Sequence, residues 1–307
     1  MKTFLVVNPS SANGQTGRRW AEISAKISRK FGVFDHAFTE KPMDASRLTT
    51  NALMDGYECV AAVGGDGTIN EVANGFMKDG GAINPKATLA VIPRGTGGDF
   101  RRTFGWDAEL ESALTRLSSP ETRPLDVGRV EYLSNRGTPE ERYFVNICSF
   151  GASGLVDREV NARSKAWGGR FSFLLGSVRA LTQYRDCKVT LFVDDKPPEQ
   201  VDVTTLAIAN GRYFGGGMMV APEADPHDGR FDVTLWTGYG LTDFIVKSRA
   251  IYDGTHVTFP GTRTLKCREI RAECESDREV LLDIDGEQPG RLPCRISLLP
   301  SAIRLKT

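Results

Sequence analysis

Two glycine-rich stretches have the composition of loops that close on a phosphate group. The first is Gly64-Gly65-Asp66-Gly67-Thr68, and the second is Pro93-Arg94-Gly95-Thr96-Gly97-Gly98-Asp99-Phe100. Glycine lets a backbone approach an anion and aim its amides at it, and a helix that starts just beyond the loop adds partial positive charge. Asp66 is the odd residue, because a carboxylate repels phosphate. It makes chemical sense if a magnesium ion stands between them, or if it helps to remove the proton of an attacking hydroxyl. For the first loop alone, a tight turn whose glycines serve packing is the alternative. Two such loops, each following an apolar strand, are harder to assign to packing. Neither continues into the Gly-Lys-Ser/Thr of a Walker A loop, and Gly64-Gly65-Asp66-Gly67 fails the G-x-G-x-x-G spacing of dinucleotide-binding folds.

Alternating strands and helices must position these loops. Phe4 to Val7 reads as a short buried strand, and Arg18 to Phe31 as a helix with Trp20, Ile23, Ile27 and Phe31 at three- and four-residue spacing. Val33 to Thr39 is expected as a strand, Asp44 to Met54 as a helix, and Cys59 to Val63 as an apolar strand. A helix beginning at Thr68 would be capped by that residue, with Glu71 reaching back in a capping box. Thr88 to Ile92 completes a series of βα units, which implies a parallel sheet with helices on both faces. Ligands of such sheets bind beyond the carboxyl ends of the strands, where both loops would lie.

The pattern changes near Asp126. Short alternating runs then dominate: Val127 to Tyr132, Tyr143 to Ser149, Lys188 to Val193, Val201 to Asn210, Arg230 to Trp236, Leu265 to Ala272 and Glu279 to Ile284. Turn residues separate them, so an antiparallel sandwich or barrel is expected. Helical insertions fall near Leu155 to Tyr184 and Leu241 to Asp253. The fold class is therefore an α/β nucleotide-binding domain with a parallel sheet, residues 1–126, followed by a mainly antiparallel β-sandwich acceptor-binding domain, residues 127–291. Arg295 to Leu305 is apolar enough to pair with a sheet.

The 307 residues are of ordinary globular composition, and the formal net charge of zero gives no whole-molecule signal for nucleic acid. The six cysteines (Cys59, Cys148, Cys187, Cys267, Cys274 and Cys294) include no C-x-x-C pair, and the three histidines are dispersed, so a zinc site is not expected. Reduced thiols in a cytosolic compartment are the expectation. The apolar run after Lys2 stops at Asn8-Pro9-Ser10, too short for a signal peptide.

The two loops, together with Asn8-Pro9-Ser10, resemble the diacylglycerol kinase catalytic-domain family, which includes bacterial lipid kinases, sphingosine kinases and ceramide kinase and shares a fold superfamily with NAD kinases. The resemblance runs through Thr39, Gly64 to Glu71 with Asn70, Val72 and Asn74, then Gly95-Thr96, Asp99 and Leu125-Asp126-Val127-Gly128. It continues through Asn146, Phe150-Gly151, Ala221-Pro222, Ala224-Asp225, Asp228-Gly229 and Asp285-Gly286-Glu287. It implies a lipid kinase that uses ATP and magnesium to phosphorylate a lipid hydroxyl of the diacylglycerol or sphingoid type. Nucleotide would contact Asn8, Thr39, Gly64, Gly65, Asp66, Gly67, Thr68, Ile69, Asn70, Glu71, Gly95 and Thr96. Asp66, Asp99 and Asp126 would hold the catalytic magnesium. Asp285 matches a general base, with Glu287 beside it. Asp225 and Asp228, with the carbonyl of Arg230, match a structural magnesium site. Residues 292–307 would return to the first domain.

Turn chemistry offers a plainer reading of two of these. Asp225 and Asp228 suit a polar turn before a strand, and Asp285-Gly286 suits a hairpin turn. The chain also departs from the family at two points: Gly98 stands where Asn is usual, and Ser11, Ala12 and Asn13 follow Asn8-Pro9 where a Lys is frequent, with only Arg18 and Arg19 nearby. On the acceptor side, Arg158, Arg163, Lys165, Trp167, Arg170, Phe171 and Phe173 mix basic and aromatic groups, as a peripheral membrane contact would or as a solvated helix face with a buried stripe would. Tyr213 to Met219 either shapes a lipid-sized cleft or is simply a loop. Competing readings are an NAD-kinase-like enzyme with a soluble acceptor and an inactive lipid- or nucleotide-binding protein. The expected setting is cytoplasmic and peripheral to membrane, with the oligomeric state open and a homodimer among the options.

Overall fold

In the computed structural model the chain divides into two units, Met1–Val127 with Leu299–Thr307, and Gly128–Leu298. Residues 1–95, 97–161, 184–274 and 278–307 are described. The first unit runs β1 (Thr3–Val7), α1 (Gln15–Arg18), α2 (Trp20–Phe31), β2 (Asp35–Phe38), α3 (Asp44–Met54), β3 (Cys59–Gly64), α4 (Asp66–Phe76), β4 (Met77–Lys78), β5 (Gly81–Ala82), β6 (Thr88–Pro93), α5 (Asp99–Thr103) and α6 (Leu110–Ser118). Its main sheet has the order β2-β1-β3-β6, parallel throughout. β3 and β6 are buried at every position, as central strands of a sheet covered on both faces must be. On one face Trp20, Ile23 and Ile27 of α2 and Leu114 and Leu117 of α6 pack on Leu5, Val7, Ala61, Val63 and Ile92.

Two helix starts differ from expectation. The helix expected from Arg18 is interrupted at Arg19, whose backbone (φ −104°, ψ 13°) separates α1 from α2. The capping box at Thr68 does not form, because α4 starts two residues earlier with Gly65 as its N-cap and no side-chain cap. Thr68 lies inside the helix, where its hydroxyl accepts a hydrogen bond from Asn8 Nδ2 at 3.0 Å, and Glu71 Oε2 instead accepts from the Ala45 amide at the start of α3.

The rest of the chain supplies β7 (Thr122–Ser134), β8 (Pro139–Phe144), β9 (Ile147–Gly151), α7 (Ala152–Asn161), β10 (Cys187–Val193), β11 (Glu199–Val203), β12 (Thr205–Ala209), β13 (Tyr213–Phe214), β14 (Met218–Met219), β15 (Phe231–Trp236), α8 (Leu241–Asp253), β16 (Thr262–Cys267), β17 (Glu269–Cys274), β18 (Leu282–Ile284) and β19 (Gly290–Lys306). One antiparallel layer of the second unit is β11-β10-β17-β19, with β7 pairing β8; the other is β16-β15-β12-β9-β18. Inward side chains of both layers form one core. Val189 and Leu191 of β10 and Ile270 of β17 belong to it, as do Phe150 of β9, Ile208 of β12 and Val233 of β15. The fold class is the expected one, a mainly parallel α/β unit and an antiparallel β-rich unit.

Three runs that read as single strands are each broken by the structure. Tyr143 to Ser149 divides between β8 and β9, Val201 to Asn210 between β11 and β12, and Leu265 to Ala272 between β16 and β17. In each case the two halves pair in different layers. The expected helical insertion from Leu155 to Tyr184 is seen as α7, and its part from 162 to 183 lies outside the described residues. The last strand enters the first unit at Leu299 rather than at 292, because Cys294 to Ser297 are still laddered to β17; Arg304 and Leu305 then pair in parallel with Thr88 and Leu89 of β6.

His256 is fully buried, stacked on Trp236 with ring centroids 5.3 Å apart. Burial lowers its pKa below 6.5, outweighing the carbonyls of Ala250 and Val220 and the charge of Asp253. A lowered pKa means that the unfolded chain takes up the proton first as the solution is acidified. The stability tied to His256 should therefore be complete above about pH 6.5 and be lost as pH falls from there towards its folded pKa. Thermal melts across pH 5 to 8 should show this loss, and His256→Gln should reduce it; an identical pH profile in the variant would remove His256 from the account.

Candidate functional site

The carboxyl ends of the parallel strands in the first unit bring most of the expected nucleotide residues together. The ladder continues one step past each strand: Asn8 N–H donates to Val63 O at 3.0 Å, Thr39 N–H to Val7 O at 2.9 Å, and Arg94 N–H to Gly64 O at 2.7 Å. Asn8, Thr39, Gly64, Gly65 and Gly95 thus stand on one crest. The two glycine loops touch there. A Cβ on Gly95 would lie 2.6 Å from Gly65 Cα, closer than two such carbons can stand.

Asp66 joins the loops. Its Oδ2 accepts from the amides of Gly98 (2.7 Å) and Asp99 (3.2 Å), and its Oδ1 accepts from Phe100 (3.1 Å). These are the first amides of α5, so the carboxylate from one loop caps the helix that follows the other. The three bonds use three of the roughly four acceptor positions of a carboxylate. Gly98 has φ +75°, a left-handed conformation that Asn adopts more readily than most side-chain-bearing residues, so glycine in place of the usual Asn preserves the backbone shape.

The remaining first-unit residues have these surroundings. Asp99 is buried and pairs with Arg102 at 2.6 Å. Asp126 is wholly buried, and its Oδ1 accepts from the Ser301 amide at 2.6 Å, which fastens the returning strand. Ile69 and Asn70 are buried on α4, Glu71 holds the start of α3, and Gly67 is exposed. Arg18 folds over the turn after Asn8-Pro9 and donates to Asn13 O at 2.9 Å. Thr96 lies outside the described residues.

In the second unit Asp285 repeats the device of Asp66. Its Oδ1 accepts from Asn146 (3.1 Å) and Ile147 (2.8 Å), and its Oδ2 from Val145 (3.0 Å), the amides at the break between β8 and β9. Asp285 and Gly286, with φ +49° and +89°, form the two-residue turn between Ile284 and Glu287. The hairpin turn is therefore real, and it also presents a carboxylate to a distant backbone. Glu287 is exposed beside it.

Sequence reasoning missed Asp283. It is 4 % exposed; its Oδ1 accepts from Gly286 N–H at 2.8 Å, and its Oδ2 from Ser149 Oγ at 2.9 Å. Ser149 Oγ lies 2.8 Å from Ser153 Oγ on α7. The alternation of β18 was the available signal, since it places Asp283 between buried Leu282 and Ile284.

Asp225, Asp228 and Arg230 sit together in the turn before β15. Asp225 Oδ1 accepts from His227 N–H at 3.1 Å, and Asp228 Oδ1 from Arg230 N–H at 2.9 Å. The other Asp228 oxygen faces the Lys266 ammonium at 3.1 Å. The polar turn is thus formed. Among the described residues no three His, Cys, Asp or Glu side chains are grouped to hold a metal.

The second unit also contains an apolar cavity. Phe214 and Met218 from the β13–β14 hairpin line it with Val156 of α7, Trp236 of β15, and Phe244 and Ile251 of α8. Ser153 reaches its wall, and among the described residues no lining residue is charged. Its empty space, including the open solvent at its mouth, is about 600 Å³. Among the described residues no helix is long and apolar enough to cross a membrane.

Solved structures share this architecture. A diacylglycerol kinase from Bacillus anthracis str. Sterne superposes with a TM-score of 0.75 at 24 % identity, covering 99 % of this chain and 96 % of that one. A yeast NADH kinase complexed with NADH superposes at 0.56 and 11 % identity, covering 99 % and 82 %. At such identities the likeness is one of fold alone. Residues 2–130 match the family model of a diacylglycerol kinase catalytic domain, and residues 146–307 that of a YegS C-terminal NAD kinase beta sandwich-like domain. The chain belongs to the diacylglycerol kinase catalytic-domain family, among members with the YegS-type second domain. It is 28 % identical over 305 residues to a diacylglycerol kinase of Mycobacterium tuberculosis (strain ATCC 25618 / H37Rv), covering 99 % of this chain and 94 % of the relative.

The contact between Gly65 and Gly95 gives a direct test of how the loops are set. Gly95→Ala should destabilise the protein by about 1–3 kcal/mol through overpacking, seen as a lower midpoint in chemical unfolding. An unchanged midpoint would mean that the loops are not held this close.

Proposed function

We propose that this protein is a lipid kinase that transfers the γ-phosphoryl group of ATP, with magnesium, to the hydroxyl of a diacylglycerol or sphingoid-type lipid. Within a family of kinases, the observation that carries the lipid acceptor is the cavity of the second unit, whose described lining is uncharged and suits an acyl or alkyl chain. Phosphoryl transfer needs alignment, charge neutralisation and a route for the hydroxyl proton. Amides of the two glycine loops, with Asn8, Thr39 and Thr96, align the nucleotide in this reading. Magnesium, when bound, neutralises charge on the transferring phosphates. Asp66 and Asp99 fit it through water, since their oxygens already serve amides and Arg102. Asp126, wholly buried on Ser301, fits a supporting part. Asp285, held in orientation by three amides, takes the hydroxyl proton, with exposed Glu287 beside it.

The fold likeness to an NADH kinase keeps a second reading in view, a soluble nucleotide acceptor. The lack of any charged residue among the described residues of the cavity lining counts against placing a polyanionic dinucleotide there. The cavity also suits an inactive lipid-binding protein, but the acidic residues Asp66, Asp99, Asp126 and Asp285 are all present.

Radiolabelled ATP offered with a panel of lipids in mixed micelles, and with NAD as comparison, tests the reading. Labelled lipid and unlabelled NAD are expected. Asp66→Asn and Asp285→Asn should each lower turnover by about 10²- to 10⁴-fold while remaining folded by circular dichroism. Near-wild-type turnover in both variants would refute the site, and transfer to NAD alone would refute the acceptor.

A lipid kinase must reach a substrate that water does not carry, so peripheral contact with a membrane is part of the proposal. The contact is assigned to the basic and aromatic stretch from Arg158 to Arg185, of which Arg163, Lys165, Trp167, Arg170, Phe171 and Phe173 lie outside the described residues. Sedimentation with anionic vesicles should show binding that weakens as salt rises, and Arg163→Glu with Lys165→Glu should weaken it further. Binding indifferent to both would reject this surface.

A further inference from the structure

The turn from Asp225 to Arg230 is where the family resemblance implies a structural divalent ion, and its carboxylates are already engaged. Asp225 and Asp228 each spend one oxygen on an amide two residues ahead, and Gly229, at φ +72°, closes the turn. The remaining Asp228 oxygen is 3.1 Å from Lys266 Nζ. The same ammonium is 3.1 Å from Asp232 Oδ2.

This placement follows from strand register. Lys266 of β16 is the direct antiparallel partner of Asp232 of β15, so the side chains meet across the ladder on the same face. Asp232 needs a counter-charge. Its side chain is 14 % exposed, and burial raises its pKa despite the opposing effect of Lys266. Lys266 is itself partly desolvated, which lowers its pKa, but its bonds to Asp232 and Asp228 together outweigh this and raise it. A lysine in this position is an obligate, covalently attached cation. A magnesium ion would have to approach Asp228 to about 2.0–2.1 Å, which would crowd it against the ammonium or displace it.

We propose that the Lys266 ammonium, clasped by Asp228 and Asp232, serves as the built-in cation of this turn in place of a divalent ion. The stability of the second unit then does not depend on magnesium, and any requirement for the metal belongs to chemistry elsewhere in the protein.

Thermal melts of the nucleotide-free, full-length protein in EDTA and in magnesium chloride decide this. Lys266→Met should lower the midpoint in EDTA by roughly 2–4 °C or more, and magnesium should restore part of the loss by binding the abandoned carboxylates. Lys266→Arg should retain the wild-type midpoint. In protein with Lys266 intact, any magnesium-induced rise should survive Asp228→Asn. A rise that Asp228→Asn abolishes would overturn the proposal, and so would a Lys266→Met midpoint equal to wild type in EDTA. Should Lys266→Met fail to fold, the comparison of wild type with Asp228→Asn decides by itself.

Discussion

A carboxylate that accepts several backbone amides at once is the interaction on which both candidate sites depend. Asp66 reaches amides 32 to 34 residues away, and Asp285 reaches amides 138 to 140 residues away. Backbone amides cannot retreat as side chains can, so each carboxylate fixes the position of a whole turn. Hydrogen bonds to a charged acceptor are also stronger than neutral ones. In the first unit the result is two glycine loops held in contact, with the start of α5 turned towards Asp66. In the second it is a break between two strands held against the tip of a hairpin.

The surrounding elements serve these clasps. β3 and β6 are buried along their whole length because helices cover both faces of their sheet, and they end together at one crest. Small residues then allow backbone to meet backbone, and Gly65 against Gly95 is the clearest instance. In the second unit the hydrophobic core between two antiparallel layers supports Asp283, which accepts from the Gly286 amide in the hairpin that carries Asp285. Ser149 links that aspartate to Ser153 in the wall of the apolar cavity, so the cavity and the carboxylate turn share a buried polar chain.

Charge placement in the second unit follows the same economy. Lys266 and Asp232 are cross-strand partners, and Asp228 joins them from the preceding turn. A sheet register thereby does electrostatic work that a bound ion could otherwise do.

Local pattern alone determined much of this protein. Apolar runs bounded by turns marked β1, β3 and β6, helical spacing marked α2, and glycine composition marked both loops, because each signal is carried by neighbours in the chain. Strand breaks left only a faint local trace. In Val201 to Asn210 and Leu265 to Ala272 the alternation slips by one residue where two polar residues fall together, Thr204-Thr205 and Arg268-Glu269, and the pairing partners reveal that the chain passes there from one layer to the other. The start of α4 was misplaced because Thr68 has the chemistry of a cap, while tertiary structure engages its hydroxyl with Asn8 and Glu71 with α3. The same limit applies to the acidic residues. Their types and turns could be read in the sequence, but whether a carboxylate meets amides, an ammonium or a buried serine depends on segments far away in the chain, and the fold alone brings those together.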